Sequence, residues 1–203
     1  MTDLAIAQDP SLAPTLAKRL KAGTEATHDR LDKSIMAGQP FADRERYGRF
    51  LEVQYRFHRD IDGLYQRPEL AQRLPDLDGR RRLAQIAADR ADLGLPALSD
   101  LPPPAFTADA EPDLATALGW LYVAEGSNLG AAFLFKAAAK LGLDENLGAR
   151  HLAGHPDGRA AHWRQFTAAL DAAGLDEAGE ARAIAGAQAA FSRVQAYVDA
   201  AFG

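Results

Sequence analysis

The chain has 203 residues, 47% of them apolar and 25% charged, with a formal net charge of −5 and no cysteine. That length supports one substantial core without demanding a second domain. The missing cysteines exclude disulfides and thiolate-bound metal, and acidic residues spread along the chain argue against nucleic acid as a partner. No run approaches the roughly 20 apolar residues of a membrane span. The opening MTDLAIAQDP has a short apolar patch, two aspartates and no basic start, so a cytoplasmic protein is expected.

Helical periodicity dominates and no alternating β-branched stretch argues for a strand, so the expected fold class is an all-α, single-domain helical bundle over residues 1–203, with 1–12 a flexible N-terminal segment. A first helix is expected from about Leu12 or Pro14 to Ile35, stopped by Gly38 and Pro40. A second begins near Asp43, and its stripe Tyr47, Phe50, Gln54, Phe57, Ile61, Leu64 has core-facing spacing interrupted by Gln54. A third covers about Arg80 to Leu93, after which GLPALSDLPPPAFTADAEP reads as a stiff surface crossing. A glycine-bearing helix follows from about Asp113, then shorter helices near 144–152 and 158–173. The last runs from about Asp176 to Phe202, with Ile184, Ala187, Phe191, Val194 and Val198 on one face.

LGWLYVAEGSNLGAAFLF carries Gly119, Gly126 and Gly130 in a helix interior, where each glycine costs roughly 1 kcal/mol relative to alanine. Gly119 and Gly126 lie about 20° apart around the axis and Gly130 follows one turn later, so all three face the same way. Such a row lets a flat molecule approach the backbone and permits a bend; close helix packing is the alternative for a single glycine pair.

His28 sits mid-helix in LKAGTEATHDRLDKSI, on the side of Ala17, Lys21, Thr24, Leu31 and Ile35, with Glu25 and Asp32 as nearby carboxylates. It reads either as a satisfied core histidine or as an axial ligand to haem iron. Lys21 lies about 10.5 Å up the axis on nearly the same face, roughly the reach from a haem iron to its propionates, though a solvated helix lysine has the same pattern. Gln54 and His58, one turn apart, place polar groups at a buried face and call for partners or a water network. His151 and His155 have a metal-binding spacing, but Gly154 and Pro156 should break the helix that would aim them together. His162 and Trp163 read as packing, and Arg80 to Arg82 as a solvated basic face.

LKAGTEATHDRLD and LGWLYVAEGSNLGAAFLFK, about 90 residues apart, together resemble bacterial haem oxygenases of the haem-uptake type, and LGLDENLGARHLAGHPDGRAAHWRQF is similar to the same subfamily. The likeness runs from about residue 15 to 202. It implies haem, both cofactor and substrate, between the helix carrying His28 as iron ligand and a kinked distal helix carrying Gly126 and Gly130. Thr24, Lys21, Tyr122, Ser127, Phe133 and Phe191 are then expected around the haem, and Gln54 and His58 in the distal polar network. The implied reaction uses O2 as co-substrate and electrons from a ferredoxin or flavin reductase to give biliverdin, carbon monoxide and ferrous iron, which suits either iron acquisition or supply of biliverdin to a photoreceptor. Relatives that cut at the α meso carbon hold the propionates with a lysine and a tyrosine at the spacings of Lys21 and Tyr122, so the α isomer is expected.

Two rivals share these features. Glu25 and His28 have the Glu-x-x-His spacing of di-iron helical proteins, but that architecture needs a second such pair and the chain has none. A non-catalytic haem carrier or sensor would have the same pocket.

Overall fold

The computed structural model describes residues 14–99, 101–107 and 111–203. The expected flexible segment at 1–12, and a helix start at Leu12, lie outside the described residues. Among these residues the chain forms seven α-helices and no strand: α1 Leu16–Ala37, α2 Arg44–Ile61, α3 Pro68–Ala71, α4 Leu83–Asp92, α5 Leu114–Ala139, α6 Arg159–Asp171 and α7 Glu177–Phe202. The long helices start where a side chain can satisfy an orphan backbone donor. Asp43 accepts from Arg46 N at 2.8 Å, Asp113 from Thr116 N at 2.9 Å and Asp176 from Gly179 N at 2.7 Å.

Two stretches differ from the sequence expectation. The helix expected from Arg80 begins at Leu83, because residues Asp78–Arg80 form a 3-10 turn. The helix expected over 144–152 shrinks to a 3-10 turn at Arg150–Leu152. Before it, Asp144 accepts from Asn146 N at 2.7 Å and Leu147 N at 3.0 Å, which ties the backbone into a turn. A further 3-10 turn at Asp62–Gln66 and the single-turn α3 have too few residues to show a period.

Helix α7 is the spine on which α1 and α5 pack, with little direct contact between those two. The α5–α7 crossing is set by glycine. A Cβ on Gly119 would run into Ala183 O and Ala187 N, and one on Gly186 would come within 2.7 Å of Thr116 O. Gly119 therefore belongs to a helix–helix contact and not to a surface left bare for a ligand. On the other side, a Cβ at Gly23 of α1 would lie 2.7 Å from Ile184 Cγ2 of α7. Helices α1 and α5 therefore meet α7 at the same level, around Ala183, Ile184 and Ala187, from different sides of it.

The core comprises two apolar clusters, with Ile35 and Phe202 packed against both. Asp60, buried on α2, joins three parts of the fold: it accepts from Arg193 Nε at 2.8 Å, from the Tyr197 hydroxyl at 2.6 Å and from Ala105 N at 3.1 Å. That last bond and the Phe106 N to Asp60 O bond at 2.9 Å hold the proline-rich crossing against α2. Among the described residues no helix is long and apolar enough to cross a membrane.

Candidate functional site

On α1, the His28 side chain is 56% exposed, so it is not a core histidine. Its ring meets Phe191 of α7 edge-on at 5.7 Å. Its Nδ1 lies 3.4 Å from Asp32 Oδ2 and 3.9 Å from Asp29 Oδ1. Carboxylates on the Nδ1 side favour a proton there and leave the Nε2 lone pair free, as imidazole needs in order to ligate a metal. Glu25 makes no ion pair with this ring. Lys21 is exposed one and a half to two turns up the same face. Thr24 is buried, and its hydroxyl donates to Leu20 O at 2.7 Å, leaving only its methyl for any ligand.

Helix α5 carries the remaining glycines and is continuous through both. A Cβ at Gly126 would meet only the edge of Trp163, at 3.7 Å, and one at Gly130 would have nothing within 4 Å. The backbone there is bare toward open space. Ser127 donates its hydroxyl to Ala124 O at 2.7 Å, a bond of the kind that bends helices. Tyr122, half-buried, packs its ring 5.6 Å from Trp163. Phe133 is 63% exposed and Leu129 42% on α5, and Met36 is 49% exposed on α1. Exposed apolar groups flanking a bare helix mark a surface made for an apolar partner.

A group of buried polar side chains is centred on Arg82. His58 Nδ1, His151 Nε2, Tyr65 Oη, Arg82 Nε, Glu125 Oε1 and Asn128 Nδ2 are buried without a hydrogen-bond partner among the described residues. Burial first, then the neighbouring His151 and Arg82, push the His58 imidazole down to about 3, so it is neutral at pH 7. Glu125 pairs with the fully buried Arg80 through Nη1 to Oε2 at 2.7 Å; burial nevertheless raises its carboxyl above the ordinary range. Buried polar atoms are rarely left unpaired, and so many together imply ordered water. His58 is within this group and Gln54 stands half-buried one turn before it, as the stripe on α2 suggests.

The comparisons with known proteins bear directly on this arrangement. The profile of the family described as "Heme oxygenase" matches residues 14–200. The chain belongs to the haem oxygenase family. It is an enzyme of that all-α fold. It is 46% identical over 177 residues to Heme oxygenase PigA of Pseudomonas aeruginosa, covering 87% of this chain and 88% of that one. It is 35% identical over 162 residues to a haem oxygenase of Xanthomonas campestris pv. campestris, covering 76% and 90%. The NO- and CO-bound haem oxygenase of Neisseria meningitidis superposes with a TM-score of 0.84 at 45% identity, over 94% of each chain. The haem oxygenase of Leptospira interrogans, 18% identical with a TM-score of 0.73, shares the fold.

Family membership removes the carrier and di-iron rivals, and the structure agrees on the second: among the described residues Glu25 and His28 belong to no cluster of potential metal ligands. Such a cluster exists elsewhere, at Asp76, His155 and His162, whose ligand atoms lie within 4.8 Å of one another. The two imidazoles stack at 4.2 Å, so His155 partners His162 and not His151. Arg80 Nη1 stands 3.4 Å from His162 Nδ1, and burial together with that cation lowers the His162 imidazole to about 4. A haem oxygenase with this arrangement has no favourable place there for a dication.

The basic face expected at Arg80 to Arg82 is overturned. Arg80 is 0% and Arg82 8% exposed, and Arg81 is engaged by Asp62 through two bonds of 2.6 Å. Three consecutive arginines look solvated in a sequence; Glu125, the one carboxylate within α5 and flanked by apolar turns, is the sign that a buried cation has to meet it. Asp89, which binds His151, gave no comparable sign, because Ala-Asp-Arg-Ala-Asp on an ordinary helix reads as surface.

Proposed function

We propose that this enzyme binds haem in a cleft between α1 and α5 and opens it at the α meso carbon to biliverdin IXα, carbon monoxide and ferrous iron, with O2 as co-substrate. The observation that carries this reading is an exposed imidazole, His28, on one helix together with bare backbone at Gly126 and Gly130 on another. Haem supplies the redox iron and is itself the molecule consumed. His28 Nε2 ligates it from α1, with Asp32 orienting the ring from Nδ1. Phe191, Phe133 and the Thr24 methyl cover the macrocycle, while Gly126, Ser127 and Gly130 bring the α5 backbone close to it. Close backbone walls restrict where a small ligand on the open face can lean, which is geometric control of the reacting atom. Gln54 and His58 anchor water from the buried polar group, and neutral His58 can pass a proton without adding charge to the pocket. Lys21 and Tyr122 take the propionates and fix the rotation of the ring, which selects the α position.

Electrons come from a ferredoxin or flavin reductase, and the compartment that fits is the cytoplasm, with release of iron from acquired haem as the purpose. The test adds haem and a reductant under air. The Soret band should disappear as a bile pigment forms, and chromatography should show the α isomer. Predominant β or δ isomer would overturn the roles of Lys21 and Tyr122. His28→Ala should lose the native axial-ligand spectrum; retention of that spectrum would move the iron ligand elsewhere.

A further inference from the structure

Asp89 on α4 is 0% exposed and spends its carboxylate almost entirely on two neighbours in the chain. Oδ2 accepts from His151 N at 3.0 Å and from the His151 ring at Nδ1, 2.7 Å away; Oδ1 accepts from Arg150 N at 3.0 Å and Arg150 Nη1 at 3.0 Å. Burial pushes this carboxyl up, but the bonds from His151 and Arg150 outweigh burial and hold it below the ordinary range. An ionised carboxylate has no hydrogen to give, so the proton of the 2.7 Å contact belongs to His151 Nδ1. A neutral imidazole carries one N–H, and burial keeps this imidazole below its ordinary value against the pull of Asp89. His151 Nε2 is thereby left as a bare lone pair, and it is buried with no partner among the described residues.

That lone pair belongs to the polar group centred on Arg82. His151 is the neighbour that, after burial, most depresses His58, and Arg82 acts on both imidazoles. Arg82 Nε–H and the Asn128 amide nitrogen can only donate. Water between these donors needs acceptors to pass a proton on; Glu125 Oε1 and Tyr65 Oη offer two, and the opposite tautomer of His151 would remove a further one and add a donor beside a guanidinium. We propose that Asp89 is a positioning residue for the oxygenase reaction: by fixing the Nδ1–H tautomer of His151, it makes His151 Nε2 a proton-accepting end of the water network that includes His58. The proposal rests on the haem oxygenase reading of the cleft for its consequence in turnover, and on Asp89 and His151 alone for the tautomer.

The experiment has a part for each. Nitrogen-15 NMR of the protein without haem should show His151 with a protonated Nδ1 and a bare Nε2. In Asp89→Asn, whose amide presents a donor to one of the groups now held, the Nδ1–H form should be lost. With haem, ascorbate or a reductase and air, Asp89→Asn should slow loss of the Soret band by about a hundredfold, with haem affinity, axial-ligand spectrum and circular dichroism unchanged. His151→Asn is the second variant: its amide can still donate to Asp89, but it places nothing at the Nε2 position, so it should fold and be as slow. An unchanged tautomer in Asp89→Asn, or wild-type turnover by His151→Asn, overturns the proposal. A rate that falls only in step with lost helicity in both variants overturns it too. Failure of the wild-type protein to consume haem would instead sink the reading of the cleft, and the NMR result would stand by itself.

Discussion

The glycines of α5 share a helix face yet do different work, because what stands opposite each one differs. Gly119 faces the backbone of α7, where nothing can yield; Gly130 faces open space. Gly119→Ala should therefore destabilise the fold by about 1–3 kcal/mol or more through overpacking. Gly130→Ala should leave stability unchanged or raise it by up to about 1 kcal/mol, since alanine is the better helix former and meets no neighbour. Gly130→Leu should fold equally well and bind haem poorly. Urea unfolding of the three variants beside haem titration separates the roles; equal loss of stability at both positions would show that the two glycines serve one purpose after all. A single-residue rule, that glycine is costly in helices, says only that a reason exists.

Among elements, the turn at Asp78–Arg80 is joined to α5 and α6 by one side chain. Arg80 donates to Pro75 O at 2.9 Å and Glu125 Oε2 at 2.7 Å, and approaches the His162 ring and carbonyl at 3.4 Å. Both partners of the ion pair are buried, so removal of one leaves the other uncompensated. Arg80→Met should cost roughly 3–5 kcal/mol, whereas Arg80→Met with Glu125→Leu should recover most of it, because a well-packed apolar pair avoids both desolvation penalties. A double variant no more stable than the single one would show that the lost bonds to Pro75 and His162, and not the stranded carboxylate, carry the cost. The helices themselves were readable in advance: the caps at Asp43, Asp113 and Asp176 stand where acidic residues precede periodic stretches. The failures, at 62–71, 78–82 and 144–152, are segments whose geometry is set by side chain to backbone bonds and 3-10 turns, which leave no repeating pattern.

At the scale of the whole molecule, three imidazoles are folded into the interior uncharged. Burial is the main cause for each: His58 is held at about 3, His162 at about 4, and His151 below its ordinary value. In the unfolded chain each takes a proton near pH 6.5, so below that pH the unfolded state binds more protons and stability falls as the pH drops. The loss should approach about 1.4 kcal/mol per pH unit for His58 between pH 6 and 4, with His162 adding to it until the pH nears its own value of about 4 and His151 acting in the same direction. Above pH 7 these groups contribute no slope. Asp89 acts in the same direction at lower pH, since a carboxyl held below its ordinary range withdraws its contribution as it is protonated. Urea midpoints measured from pH 8 to 4.5 should be level at the alkaline end and fall steeply below about pH 6.5; a level profile throughout would mean that the histidines are not neutral in the folded protein.

Periodicity, caps and stop signals determined that this chain is all-α and where most long helices run, because those features act within a few residues of one another. Two spaced motifs and the glycine-bearing helix also determined the family. Tertiary structure decided which glycine packs and which is bare, that Arg80 and Arg82 are interior, and that Asp89 reaches His151 across 62 positions. Each of these depends on what a distant segment brings opposite a side chain, and burial, which sets the cost of every charge and lone pair, exists only once the helices have assembled.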